Sequence, residues 1–186
     1  MTKRGPEFRV FQITMRIYRG KIKPISEDVV KTLIEGEDIE VEEDQVEEVV
    51  LDVEAIIKEY LRMDEQIAGE AREIIQKQGA SYTEFGKVKR MLAEEKDFET
   101  GDAAMRWIAN QIIESFMYNN RVEEVYSEDH KLRVKIAKVF DQYLGLEEQV
   151  DREIRDKIKN IEEGTEDWNI EYKKLYEKIA RRKGLL

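Results

Sequence analysis

Residues able to do chemistry recur in this chain at one spacing. Glu65 and Glu148, Glu70 and Glu153, and Arg72 and Arg155 each lie 83 positions apart. Paired carboxylates on helices are the raw material of a di-metal centre. Centres of that kind also take a Glu-x-x-His arrangement from two helices, so that both ligands project from one face. The chain has one histidine, His130, and Ser127 stands three positions before it. A metal site is therefore not expected, and the acids read as solvated faces and as first-turn charges favoured by the helix dipole. His130 follows Ser127, Glu128 and Asp129 in what reads as an exposed first helical turn. A serine or threonine nucleophile would have only this imidazole as its base. The glycines stand singly at expected helix ends, so no phosphate-cradling loop is formed. With no cysteine, disulfides, thiolate ligands and cysteine nucleophiles are excluded. These features argue against a conventional enzyme, and no cofactor is expected.

Two sets of cations remain as contact residues. Arg72 and Arg155 sit beside Glu70 and Glu153, where they form either a salt bridge between helices or a contact to a carboxylate or phosphate, which the arginine fork suits. Lys173, Lys174, Lys178, Arg181 and Arg182 make the last helix basic. Cations at a helix C-terminus complement its dipole, which is a sufficient structural account; RNA or an acidic partner is the alternative.

The elements that position these residues follow from apolar periodicity. The run from Ile56 to Phe85 can be laid under that from Val139 to Trp168 without a gap, placing Tyr60 on Tyr143 and Phe85 on Trp168. Straight-chain residues dominate and there are two prolines, so the chain reads as all-α. The apolar stripes predict two tandem four-helix units related by the 83-residue repeat, standing as separate domains or packed as one elongated helical array. Repeat one covers residues 21–100 and repeat two 101–186. In the first, Ile22, Ile25, Val29 and Leu33 mark helix one, and Val46 through Leu61 a second helix expected to be the buried centre of its unit. Ile67, Ala71, Ile74 and Ile75 mark a third after a break near Met63, and Phe85, Val88, Met91 and Leu92 a fourth. The second repeat follows the same order, giving eight helices. Ser81 with Glu84 reads as a capping box, and Ser127 and Thr165 as N-caps. Tyr60, Phe85, Tyr143, Trp168, Tyr172 and Tyr176 are the expected aromatic anchors. Residues 1–20 are either a short strand, from the alternation of Phe11, Ile13, Met15 and Ile17, or in part an addition ahead of a natural start at Met15.

Charge divides the two repeats. The net charge of −10 is concentrated in residues 21–98, which carry 11 Lys and Arg against 22 Asp and Glu, whereas residues 99–186 carry 16 against 19. Duplex binding draws on clustered cations that neutralise phosphates, so the first repeat suits basic or helical protein partners better. No apolar run reaches the length of a membrane span, and a cytoplasmic protein without membrane contact is expected.

The ending carries a resemblance. Glu163, Gly164, Thr165, Asp167, Trp168, Tyr172 and Tyr176, within an arginine-lysine helix, a tight turn and a tyrosine-rich last helix, resemble a bacterial family catalogued as domain of unknown function 507. The resemblance extends more loosely over most of the chain; in repeat one the turn has become QGASYTEF, with Phe85 in place of the tryptophan. It implies no activity and no functional residues. The expected function is a non-enzymatic binding or scaffold protein acting through a protein partner or as a homodimer. The alternative is a nucleic-acid or ribosome-associated factor using the C-terminal basic helix.

Overall fold

Val49, Val53, Ile57 and Tyr60 return every three or four residues, and a helix that carries them on one face must bury that face. In the computed structural model they lie on α2, Val46–Gln78, and all four are buried. The structure describes residue 17 and residues 19–79, 81–161 and 165–183, with the side chains of residues 82, 102 and 146–148 excepted. The strand expected from Phe11 falls outside them, save for buried Ile17.

Among the described residues the order is α1 (Ile22–Glu35), β1 (Ile39–Glu40), α2, α3 (Phe85–Glu95), α4 (Ala104–Tyr118), β2 (Glu124–Val125), α5 (Asp129–Lys157) and α6 (Glu166–Arg182). The fold is all-α, with two short strands paired antiparallel, Ile39 opposite Val125 and Glu40 opposite Glu124. The sequence helix, strand, long helix, shorter helix occurs twice. No helix among the described residues is long and apolar enough to cross a membrane.

Among the described residues six α-helices stand where eight were expected, because the break near Met63 does not exist. The apolar stripe keeps its phase there, since Ile67 follows Tyr60 by seven residues, close to two helical turns, and only the polar Asp64 interrupts it. Tyr60 packs against Trp107 of α4, while Asp64, one turn on, pairs with Lys89 of α3 at 2.7 Å. A polar ladder also runs across the expected break. Arg62 donates to Glu59 at 2.7 Å and to Gln66 at 3.1 Å, and Gln66 donates to Glu70 at 3.0 Å. Pairs at this spacing support the helix without any tertiary contact. The helix ends where Gly79 enters the left-handed region, φ 61°, a conformation that glycine adopts without steric cost. In the second half α5 is likewise continuous through the point where a break was expected.

The chain divides into two compact units, Met1–Lys138 and Val139–Leu186, with the division inside α5. In the first unit the most deeply buried side chains include Val29, Val30, Val53, Ile57, Ile108, Ile112 and Ile136. Phe140, the α5 stripe residue just beyond the boundary, is fully buried as well. In the second unit Val150, Ile154 and Ile158 of α5 form a core with Trp168, Ile179 and Ala180 of α6.

Of the three expected caps, only Thr165 is made as expected among the described residues. Ser81 accepts the Thr83 amide at 3.3 Å within a 3-10 turn at residues 82–84, and α3 starts after that turn without a side-chain cap. The Ser127 hydroxyl donates to Asp38 at 2.6 Å, and α5 begins at Asp129, so Glu128 and not Ser127 stands at the position before the helix. Thr165 does cap α6, accepting the Trp168 amide at 3.2 Å.

Candidate functional site

The recurrent charged residues hold helices together. Arg72 pairs with Glu65 on its own helix at 3.2 Å, and its guanidinium lies 6.0 Å from the centre of the Phe85 ring on α3. Arg155 donates to Asp151 at 2.7 Å, again on its own helix, and lies 5.6 Å from the Trp168 ring on α6. The expected salt bridge between helices is thus replaced by an ion pair along the helix and a cation over an aromatic face, the arrangement that the ring quadrupole favours. Phe85 and Trp168 do the same work 83 positions apart. The bridges between helices come from the acids instead: Glu70 to Lys96 at 3.1 Å and Glu153 to Arg182 at 2.6 Å. The Gln66 and Lys96 contacts hold the Glu70 carboxyl below its usual range, and Arg182 does the same for Glu153. The side chain of Glu148 lies outside the described residues.

On α6, Lys173, Lys174, Lys178, Arg181 and Arg182 are exposed. Lys174 pairs with Glu171 at 2.8 Å and Arg182 with Glu153, and the same helix carries Glu166, Asp167, Glu171 and Glu177. Acids sit in its first turn and bases in its last, as the dipole favours. His130 is exposed beside Glu128 at 3.3 Å. Among the described residues no group of three or more His, Cys, Asp or Glu is placed to hold a metal ion.

The aromatic anchors differ in depth. Tyr60 and Trp168 are buried, while Phe85, Tyr143, Tyr172 and Tyr176 are half-buried. Tyr172 stacks on Trp168 with ring centres 4.8 Å apart and donates its hydroxyl to Asp151 at 2.6 Å. Tyr60 packs against Phe98 and Trp107, with centroids at 5.0 and 5.6 Å, and burial pushes its hydroxyl pKa well above the ordinary value. Neither Phe98 nor Trp107 belongs to an apolar stripe, so periodicity does not find them.

The one site that periodicity hides is the short ladder. β1 and β2 put Glu40 opposite Glu124, while Glu42 and Glu123 crowd the same edge. Desolvation first, then the neighbouring carboxylates Glu42 and Glu40, push the Glu123 carboxyl above its usual range. Tyr126 donates to Glu40, and that bond leads the effects that raise its own hydroxyl pKa. Beside the ladder lies an open groove of about 450 Å³ lined by Ile34, Glu37, Ile39, Glu40, Val41 and Tyr126. Its floor is aliphatic and its rim acidic. The depression beside the turn after α4 is lined instead by Gln45, Ser115, Tyr118, Asn119, Asn120 and Arg121, with no carboxylate among them.

The end of the chain decides the family. Thr165 caps α6, Trp168 is buried, and Tyr172 and Tyr176 pack on the same core; Glu163 and Gly164 lie outside the described residues. The family described as Protein of unknown function (DUF507) matches residues 15–185. The chain belongs to this family. DUF507 covers all but the extreme ends of the chain, so both long helices and their aromatic partners fall within the match. No curated protein matches the chain.

Proposed function

We propose that this DUF507 protein is a three-helix unit duplicated in tandem. We also propose that it works in the bacterial cytoplasm as a non-enzymatic binding or scaffold protein, docking a basic protein segment in the acid-rimmed groove beside β1 and β2. The duplication is supported by the matching order of elements and by the equal roles of Arg72 with Phe85 and Arg155 with Trp168. The binding reading is carried by the ladder, where Glu40 stands directly opposite Glu124 and Glu123 is crowded by Glu42. Like charges directly opposite in a sheet are destabilising, and a bound cation would relieve them. A segment with Lys or Arg on both sides of an aliphatic residue would place its charges on the rim and its apolar side chain on Ile34, Ile39 and Val41.

The RNA reading of α6 has less support, since its cations are interleaved with acids and two of them are engaged by carboxylates. Fluorescence anisotropy of two labelled probes separates the readings: a peptide with lysines flanking a leucine, and a single-stranded RNA. The peptide should bind in a salt-sensitive manner and be lost on Glu42→Lys with Glu123→Lys. Peptide binding unchanged by those substitutions, or RNA binding abolished by Lys178→Glu with Arg181→Glu, would overturn the proposal.

A further inference from the structure

Two ion pairs in the first unit join residues that lie far apart in sequence. Lys135 of α5 reaches Asp38, in the turn after α1, at 2.6 Å, and Arg121, in the turn after α4, reaches Asp52 of α2 at 2.9 Å. Asp38 and Arg121 are 83 positions apart, and so are Asp52 and Lys135. The two bridges are therefore the same contact made in both directions, turn of one half to long helix of the other, with the signs inverted. The first half supplies both acids and the second both cations.

Each bridge is built into its surroundings. Asp38 is buried and also accepts the Ser127 hydroxyl, and its main-chain oxygen takes the Tyr126 and Ser127 amides. Gly36 leaves the room: a Cβ there would stand 2.7 Å from the Asp38 carboxylate and 2.9 Å from the Lys135 ammonium. At the second bridge, at the position 83 after Gly36, Asn119 donates to Asp52 and accepts the Arg121 amide at 3.1 Å. A buried ion pair is a poor source of net stability, because desolvation offsets its attraction; its best-attested use is to set register and select partners.

We infer that these four charges are a pairing code on the face between the halves: the first-half face accepts a second-half face and rejects another of its own kind. Two first-half faces would set Asp38 against Asp52, and two second-half faces would set Arg121 against Lys135. Like charges in such positions oppose the wrong partner, which is how charge contributes to specificity. The inference rests on the duplicated-unit reading proposed above, but it is tested without any basic partner, by denaturation of the full chain.

Three kinds of variant are compared by their urea midpoints: neutralised (Asp52→Asn), reversed (Asp52→Arg, and separately Arg121→Asp) and exchanged (Asp52→Arg with Arg121→Asp). The same set is made at Asp38 and Lys135. Reversal should lower the midpoint more than neutralisation, and exchange should recover most of that loss. Added salt should shrink the reversal penalty at the more exposed Asp52 site. An exchanged Asp52/Arg121 chain no more stable than its two reversed parents, or a reversal no worse than neutralisation there, would overturn the inference. Should the buried Asp38 reversals fail to fold, the half-exposed Asp52 and Arg121 set still decides it.

Discussion

Trp168 shows how a single side chain can be read from its spacing. It stands three residues after the Thr165 cap and one helical turn before Tyr172, and in the structure it is buried in the α5–α6 core with Arg155 over its ring. Emptying such a site by Trp168→Ala should cost ~3–5 kcal/mol. Trp168→Phe should cost much less, since Phe85 meets the corresponding cation with a smaller ring; denaturation of the three proteins checks both values. Gly36→Ala should destabilise by about 1–3 kcal/mol, as overpacking does, by forcing the Asp38 and Lys135 side chains apart. Glu123 gives a pH signature. Its folded pKa is raised above the ordinary 4.5, so its favourable contribution exists only at low pH and is lost as pH rises through the folded value. Glu123→Gln should therefore raise the unfolding midpoint at about pH 7 and make little difference near pH 4, where the carboxyl is largely protonated. The anchors were legible because bulk at helical spacing has few readings. Phe98, Trp107 and the buried Asp38 were not, because what places them is contact between segments distant in sequence.

At the scale of elements, the helical character and the ends at Gly36 and Gly79 follow from local chemistry, and both helices stop there. The break near Met63 was a misreading, since Asp64 interrupts the apolar run without shifting its phase and is answered by Lys89 of α3. Gly69 tests the continuity of α2. It lies in mid-helix with nothing within 4 Å of where a Cβ would stand, so alanine meets no clash. Gly69→Ala should stabilise the chain by ~0.5–1 kcal/mol, the difference in helix propensity. A loss of stability in thermal unfolding would mean that the helix needs a bend there. The strands escaped notice for a different reason. Two residues give no periodicity, and β1 exists only because residues 124–125 pair with it.

At the scale of the molecule, the acidity of residues 21–98 was visible in composition, but its arrangement was not. Several of the charges along α2 are answered by neighbours three or four residues away, such as Lys58 with Glu54 and Lys77 with Glu73. The ladder is where acids meet acids, across a contact between segments more than eighty residues apart. On the proposed reading, the groove beside Ile39 and Tyr126 is where a basic partner would gain most, by attraction to the rim and by burial on the aliphatic floor. The most direct test is amide chemical-shift mapping of the full chain titrated with the lysine-flanked leucine peptide. Docking in the groove predicts saturable shifts concentrated at residues 34–42 and 123–126. Shifts confined to α6, or none at any peptide concentration, would contradict it.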